Sequence, residues 1–315
     1  MQQKKKAKRD VDGILLLDKP LGISSNRALQ IAKRLFNARK AGHTGSLDPL
    51  ATGMLPLCLG HGTKVSGLLL DSDKGYEVRL HFGARTATAD AEGEVVECSE
   101  KTSVDQIKLE AVLESFIGDS EQIPPMYSAL KHDGQRLYKI AREGGEVERK
   151  PRKIRINKLR IVEFDPQQPK LFVHCSKGTY IRSLVEDIAV AAGTVAHVIE
   201  LRRLWVNPFA HLPMVTLDML ESLAEQGLEP LDELLLNVDQ VLLHLPAVTF
   251  SADGEDRLMH GREAASADLS GSDLEFAQEV RMYTETGLFI GLGQVTETHS
   301  VAPKRLFVSQ HQVVS

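Results

Sequence analysis

The sequence predicts an α+β fold: a large domain with helices packed on a mixed sheet, followed by a small β-rich module. Three observations carry this. Strand-like and helix-like stretches follow one another irregularly, with none of the repeating βαβ units that build a doubly wound sheet. The 315 residues are 42% apolar and only 5% aromatic, which suits an ordinary globular chain long enough for one large domain and one small one. From Pro246 the texture changes to short strand-like runs rich in Gly and Ser, among them GLFIGLGQV at 287–295.

Residues 14–18 are apolar enough for a buried strand, and Ser24 or Ser25 can cap a helix running to about Asn37 with Leu29, Ala32, Leu35 and Phe36 on one side. A small-residue loop follows, then a strand at 54–59 and a short helix at 63–70. Tyr76, Val78, Leu80 and Phe82 alternate with Glu77, Arg79 and His81, the period of a half-buried strand. Ser103-Val-Asp-Gln106 reads as a capping box before a helical stripe of Leu109, Val112, Leu113, Phe116 and Ile117, which Gly118 can end. Pro124-Pro125 breaks the chain, and 135–143 reads as a short basic helix stopped by Gly144-Gly145. Strands are expected at 154–164, 170–176 and 198–206, with a helix over 179–192 ended by Gly193. Residues 216–244 are Leu-rich and helical, and the boundary between a domain of residues 1–245 and a module of residues 246–315 is placed near 246.

Composition excludes several classes. No run approaches the ~20 apolar residues of a membrane span, and the basic start MQQKKKAKRD leads into no apolar stretch of signal-peptide length. Cys58, Cys98 and Cys175 are far apart and odd in number, as expected of reduced thiols in a cytoplasmic protein. The 11 histidines form no HExxH or Cys/His cluster, so no metal site is expected. Net charge is −5, but it is unevenly spread: residues 211–300 hold 3 basic and 17 acidic side chains, whereas 131–160 hold 11 basic and 4 acidic. A basic field of this kind can bind a polyanion, or it can be a solvated face.

Two motifs raise chemical questions. In AGHTGSLDPLATG at 41–53, Asp48 is the only acid between Lys19 and Leu70. The loop lacks the GxxxxGK[ST] spacing of a nucleotide-binding loop, which leaves an Asp-Pro turn or a reactive carboxylate. In HCSKGTYIRS at 174–183, the separation of Cys175 from Arg182 is one residue too long for a cysteine-phosphatase loop. Cys175 then reads as a small strand residue. Arg182 falls in the first turn of a helix, where the dipole disfavours a cation. It requires an anionic partner, either a buried Asp or a phosphate.

Together with LLLDKPLGISS (15–25), IPPMYSALKHDGQRLYKIAREG (123–144) and CSKGTYIRSL (175–184), the Asp48 loop resembles the bacterial tRNA pseudouridine synthase B (TruB) family. The likeness runs from about residue 10 to 207 in matching order and spacing. After 210 it weakens to a loose similarity to the family's small PUA-type RNA-binding domain. The resemblance implies an isomerase that converts uridine 55 in the T-arm stem-loop of tRNA to pseudouridine, needing no cofactor. It implies Asp48, Tyr76 and Arg182 as catalytic residues. His43 would help hold the flipped-out RNA, Tyr180 and Leu201 would line the uridine pocket, and Lys19 would belong to the substrate-binding set. Residues 124–152 would form a mobile RNA-gripping segment, with Lys131, Arg136, Lys139 and Arg142 on phosphates and Arg182 holding Asp48 ionised. The expected protein acts as a cytoplasmic monomer on tRNA, without membrane or protein partner. An RNA-binding or RNA-folding protein with secondary catalysis, or a guide-RNA-dependent synthase subunit, are the alternatives. The acidic C-terminal module would have to contact RNA through one small face, with Lys304 and Arg305 as candidates.

Overall fold

The computed structural model describes residues 7–266 and 274–307, so the basic stretch at 1–6 and parts of the C-terminal module lie outside the described residues. The chain opens with β1 (Gly13–Lys19) and α1 (Ser25–Leu35). Ser24 caps α1 by accepting a hydrogen bond from the Arg27 amide at 3.2 Å, Lys33 and Arg34 suit its last turn, and Ala28, Leu29 and Ala32 face the core. β2 (Ala41–His43) and β3 (Ala51–Leu59) flank the Asp48 loop. A 3-10 turn, Gly60–Val65, leads into α2 (Ser66–Leu70), so the expected helix at 63–70 begins as a tighter coil.

β4 (Lys74–Phe82) alternates as expected, with Tyr76, Val78, Leu80 and Phe82 buried. The hairpin of β5 (Ala84–Thr86) and β6 (Val95–Cys98) precedes α3 (Gln106–Ser115). The cap of α3 differs from the expected capping box. Asp105 is the capping residue, its carboxylate accepting from the Lys108 amide at 2.9 Å, because the helix starts two residues later than Ser103 would require. Gly118 opens β7 (Gly118–Gln122), an edge strand of polar side chains. β8 (Lys131–His132) and β9 (Gln135–Arg136) form a minimal hairpin, and α4 (Leu137–Arg142) starts only after it. β10 (Arg152–Glu163), β11 (Lys170–Cys175), α5 (Ile181–Ala191) and β12 (Ala196–Val206) complete the sheet and its main helix. The Leu-rich stretch folds as α6 (Leu217–Gln226), α7 (Glu229–Asp232) and a 3-10 turn.

The large sheet has eight strands in the order β1-β3-β12-β4-β11-β10-β7, with β2 also paired to β3. It is mixed because β12 runs parallel to β3 and antiparallel to β4. Two buried clusters cover it. One packs β4, β10 and β11 against α3 and α5 through residues such as Phe82, Leu109, Leu171 and Val185. The other packs β1 and β3 against α1, α6 and α7 through Leu15, Phe36, Leu57 and Leu220. At about 1.5–3 kcal/mol for each large apolar side chain removed from water, these clusters outweigh the weak propensities of the short edge strands.

A second sheet, β13-β14-β15-β16, is formed by β13 (Ala247–Phe250), β14 (Glu279–Thr284), β15 (Phe289–Val295) and β16 (Val301–Leu306), with α8 (Ala252–Met259) beside it. Leu292 and Phe307 share a buried cluster with Ile14, Met54 and Val65 of the large domain. Tyr283 donates to Asp239 at 2.7 Å and Arg305 donates to the Lys64 carbonyl at 2.6 Å. Lys304 is ion-paired with Glu279. The two basic residues proposed for RNA contact are therefore engaged within the protein.

Candidate active site

The Asp48 loop is held almost residue by residue. Ser25, at the start of α1, donates to the Leu47 carbonyl at 2.9 Å and accepts from the Leu47 amide at 2.7 Å. The Gly22 amide reaches the Pro49 carbonyl and the Ala51 amide the Asp48 carbonyl, at 2.9 and 3.1 Å. Leu47 is buried in the core, so its neighbour Asp48 is turned to the other side, half-buried at the head of β3. The Asp-Pro step does make a turn, and the turn serves to present a carboxylate.

Arg182 is the partner. Its Nε lies 3.0 Å from Asp48 Oδ2, and its Nη1 lies 3.9 Å from Asp90 Oδ2. Nη1 also donates to the Thr88 carbonyl and Nη2 to the Tyr127 carbonyl, at 2.8 and 2.7 Å. The guanidinium, 5% exposed, thus joins α5, the Asp48 loop, the turn at 88–90 and the start of the 124–152 segment. The anion expected at this helix start is a pair of aspartates.

The direction of the Asp48 pKa shift is opposite to the lowering expected from Arg182 alone. Desolvation pushes its pKa above the ordinary aspartate value and Asp90 acts in the same sense, while Arg182 and Lys19 pull it down. Burial outweighs the arginine because that single cation is shared with a second carboxylate. The side chain nevertheless keeps 42% of its exposure, so the balance of these effects is open to change when water is excluded around it.

Tyr76 and Leu201 lie in one cluster with Leu47 and Ala51. On β12, Leu201 stands opposite Val78 of β4 and Ala51 of β3, and Arg203 stands opposite Tyr76. Burial raises the Tyr76 pKa, with Arg203 opposing. Tyr180 caps α5, its backbone locked by Gln122, which accepts from the Tyr180 amide at 2.8 Å and donates to its carbonyl at 3.1 Å. Burial raises the pKa of its phenol. His43 ends β2; its buried Nδ1 has no hydrogen-bond partner among the described residues, and desolvation followed by Arg203 lowers its pKa.

Lys19 lies against the Asp48 loop but turned inward. It is fully buried, and its ammonium donates to the Pro20 and Ile23 carbonyls at 2.8 Å and reaches Pro49 at 3.4 Å. Burial lowers its pKa to about 8. In this position it braces the loop from beneath. Lys131, Arg136, Lys139 and Arg142 lie on the β8–β9 hairpin and α4, with Lys131, Arg136 and Lys139 exposed. These three line a concavity of about 770 Å³ with Tyr138, and Arg142 lies over the Tyr138 ring at 5.7 Å.

Sequence reasoning missed Asp90 and Arg203. Asp90, 3% exposed in TATADAEG, carries the same small-residue-loop signal as Asp48. Arg203 was hidden inside an expected strand. Among the described residues no group of three or more His, Cys, Asp or Glu is placed to hold a metal ion, and no helix is long and apolar enough to cross a membrane.

Residues 33–181 match the TruB family pseudouridylate synthase N-terminal domain, 182–243 the tRNA pseudouridylate synthase B C-terminal domain, and 246–307 the pseudouridine synthase II TruB C-terminal domain. The chain is 50% identical over 311 residues to tRNA pseudouridine synthase B of Pseudomonas fluorescens, covering 98% of this chain and 100% of that protein. It is 49% identical over 304 residues to tRNA pseudouridine synthase B of Methylobacillus flagellatus, covering 96% and 98%. Its fold resembles a chain of the archaeal box H/ACA sRNP Nop10-Cbf5 complex, with a TM-score of 0.70, 24% identity, and coverage of 96% of this chain and 88% of that one. A chain of a Cbf5-Nop10-Gar1 complex aligns with the same TM-score of 0.70, 25% identity, and coverage of 96% and 87%. The matches extend over both sheets and include the loop of Asp48 and the helix of Arg182, and the chain belongs to the TruB pseudouridine synthase family.

Proposed function

We propose that this protein is a tRNA pseudouridine synthase that isomerises uridine 55 of the T-arm, with Asp48 as nucleophile. The observation that carries the reading is the Asp48–Arg182 ion pair, with Tyr76 and Tyr180 near enough to feel the Asp48 charge and Leu201 in one buried cluster with Tyr76. The high identity to proteins named tRNA pseudouridine synthase B along the whole chain supports the substrate class.

The reaction breaks the C1′–N1 bond, turns the uracil, forms C1′–C5, removes the C5 proton and protonates N1. Atoms and charge balance without redox chemistry. Asp48 supplies the nucleophile, at C1′ of the ribose or at C6 of the base. Arg182 orients the carboxylate and opposes its protonation. Tyr76 stacks on the uracil, and its phenol, which burial keeps protonated in the free protein, acts as a relay, releasing its own proton toward N1 as it takes up the proton from C5. Leu201 supplies an apolar wall and Tyr180 a second ring.

A paired uridine must leave its stack, at a cost of a few kcal/mol. His43, neutral and with an unpartnered ring nitrogen, is suited to fill the vacated place. Lys131, Arg136, Lys139 and Arg142 offset the cost through phosphate contacts. Incubation with unmodified tRNA, followed by carbodiimide labelling of pseudouridine and mass spectrometry of the T-arm, tests the proposal. Pseudouridine at position 55 is expected with the wild-type chain and none with Asp48→Asn. An unmodified T-arm, or modification at another position alone, would refute it.

A further inference from the structure

Arg203 is the largest fully buried side chain among the described residues, at 1% exposure. Among the described residues no carboxylate lies within ion-pairing distance of it. A buried arginine is ordinarily neutralised, since an uncompensated charge in the interior is costly. Here the guanidinium is held by backbone carbonyls: Nε donates to Met54 at 2.7 Å and Nη2 to Gly45 at 2.9 Å. Met54 lies on β3, and Gly45 lies between His43 and Asp48.

The same residue is the β12 partner of both Tyr76 and Gly53. Gly53 has φ +98, and a Cβ there would sit 2.1 Å from the Arg203 carbonyl oxygen, so β3 approaches β12 as closely as a backbone can. Around the cation lie His43 and Lys74, both of whose pKa values it lowers, Lys74 reaching about 8 with burial as the larger cause. Nothing in packing alone calls for a cation here; methionine or leucine would fill the volume without the desolvation cost. What the arginine uniquely does is bond the floor of the Asp48 loop to β3 while facing the Tyr76 hydroxyl.

We propose that Arg203 is a positioning residue for the isomerisation: its unpaired buried guanidinium fixes the His43–Asp48 loop relative to Tyr76, so that nucleophile and aromatic partner meet the same uracil. The inference rests on the function proposed above. Arg203 touches no substrate in this arrangement; it acts through Gly45 and Tyr76.

The test uses the full chain with Arg203→Lys and Arg203→Gln. Lysine keeps the charge but not the two-directional fork; glutamine keeps polarity without charge. Single-turnover conversion at saturating tRNA should fall by about 10–100-fold in both, the equivalent of one charged hydrogen bond. Affinity for tRNA should stay within about threefold, because phosphate contacts dominate it. Histidine NMR, with His43 assigned by His43→Gln, gives a readout that does not depend on turnover. His43 should stay depressed in Arg203→Lys and move toward the ordinary value of about 6.5 in Arg203→Gln. Wild-type rates in both variants, a loss explained wholly by weaker tRNA binding, an unmoved His43 in Arg203→Gln, or failure of both variants to fold would each overturn the proposal. A wild-type chain that converts no uridine would overturn the proposed function instead, while the His43 titration still decides whether Arg203 governs the loop.

Discussion

Arg182 Nε stands 3.0 Å from Asp48 Oδ2, and the same guanidinium spans the carbonyls of Thr88 and Tyr127. One side chain therefore holds the proposed nucleophile and two flanking segments at once. Because it is buried and directional, its loss should be felt in the chemistry rather than in RNA affinity.

Replacing Asp48 with Asn keeps size and polarity but removes the charge. Turnover should be undetectable, with tRNA affinity within about threefold of wild type, since most affinity is expected from phosphate contacts. Filter binding, and mass spectrometry after carbodiimide labelling of pseudouridine, on the same preparation check both quantities. Single-turnover pseudouridine formation by contamination-free Asp48→Asn would remove Asp48 from the nucleophile's role.

Arg182→Lys preserves the charge and loses the planar fork that reaches Asp48, Thr88 and Tyr127 together. Turnover at saturating tRNA should drop by about 10–100-fold, equivalent to about 1.5–3 kcal/mol for a charged hydrogen bond. The salt dependence of binding should not change. A shallower salt slope with intact turnover would instead assign Arg182 to a phosphate.

The pH dependence follows from the raised pKa of Asp48. A nucleophilic carboxylate must be ionised, so the rate is full above its pKa and falls as pH drops through it. Desolvation places that acid limb above the ordinary aspartate value of about 3.9. Arg182 works in the lowering direction, so Arg182→Gln should move the limb further up. A pH–rate profile of single-turnover conversion measures both, and a limb that moves down in Arg182→Gln would contradict the assignment.

Binding should weaken steeply with salt. Lys131, Arg136 and Lys139 are exposed around one concavity. Changing all three to Ala should flatten the log–log slope by about 2 to 3, at about 0.7–0.9 for each phosphate that is no longer neutralised. An unchanged slope would place the phosphate-binding groups elsewhere on the chain.

Gly53→Ala should destabilise the protein by about 3 kcal/mol or more, because it combines a left-handed backbone with a direct clash. Its φ is +98, and the added Cβ would meet the Arg203 carbonyl oxygen at 2.1 Å. Urea denaturation gives the value; a loss under about 1 kcal/mol would mean that β3 and β12 can separate freely.

The sequence by itself determined what short-range physics controls. The apolar run of β1, the serine cap of α1, the period-two alternation of β4 and the end of α5 near Gly193 are each written within a dozen residues. So is the isolation of Asp48 in a loop of small residues, and the need of a helix-start arginine for an anion. Local pattern failed where two signals compete or where pairing alone makes a strand. Asp105 took the cap from Ser103, and polar β7 exists because β10 supplies its hydrogen bonds. Only the tertiary structure decided which anion Arg182 finds, that Asp90 shares it, that Lys19 turns inward beneath the loop, and that Arg203 is buried without a carboxylate. Each of these depends on strands far apart in the chain lying side by side. The pKa of Asp48 belongs with them: its direction is set by how much water the assembled cleft removes, a quantity that no stretch of residues contains.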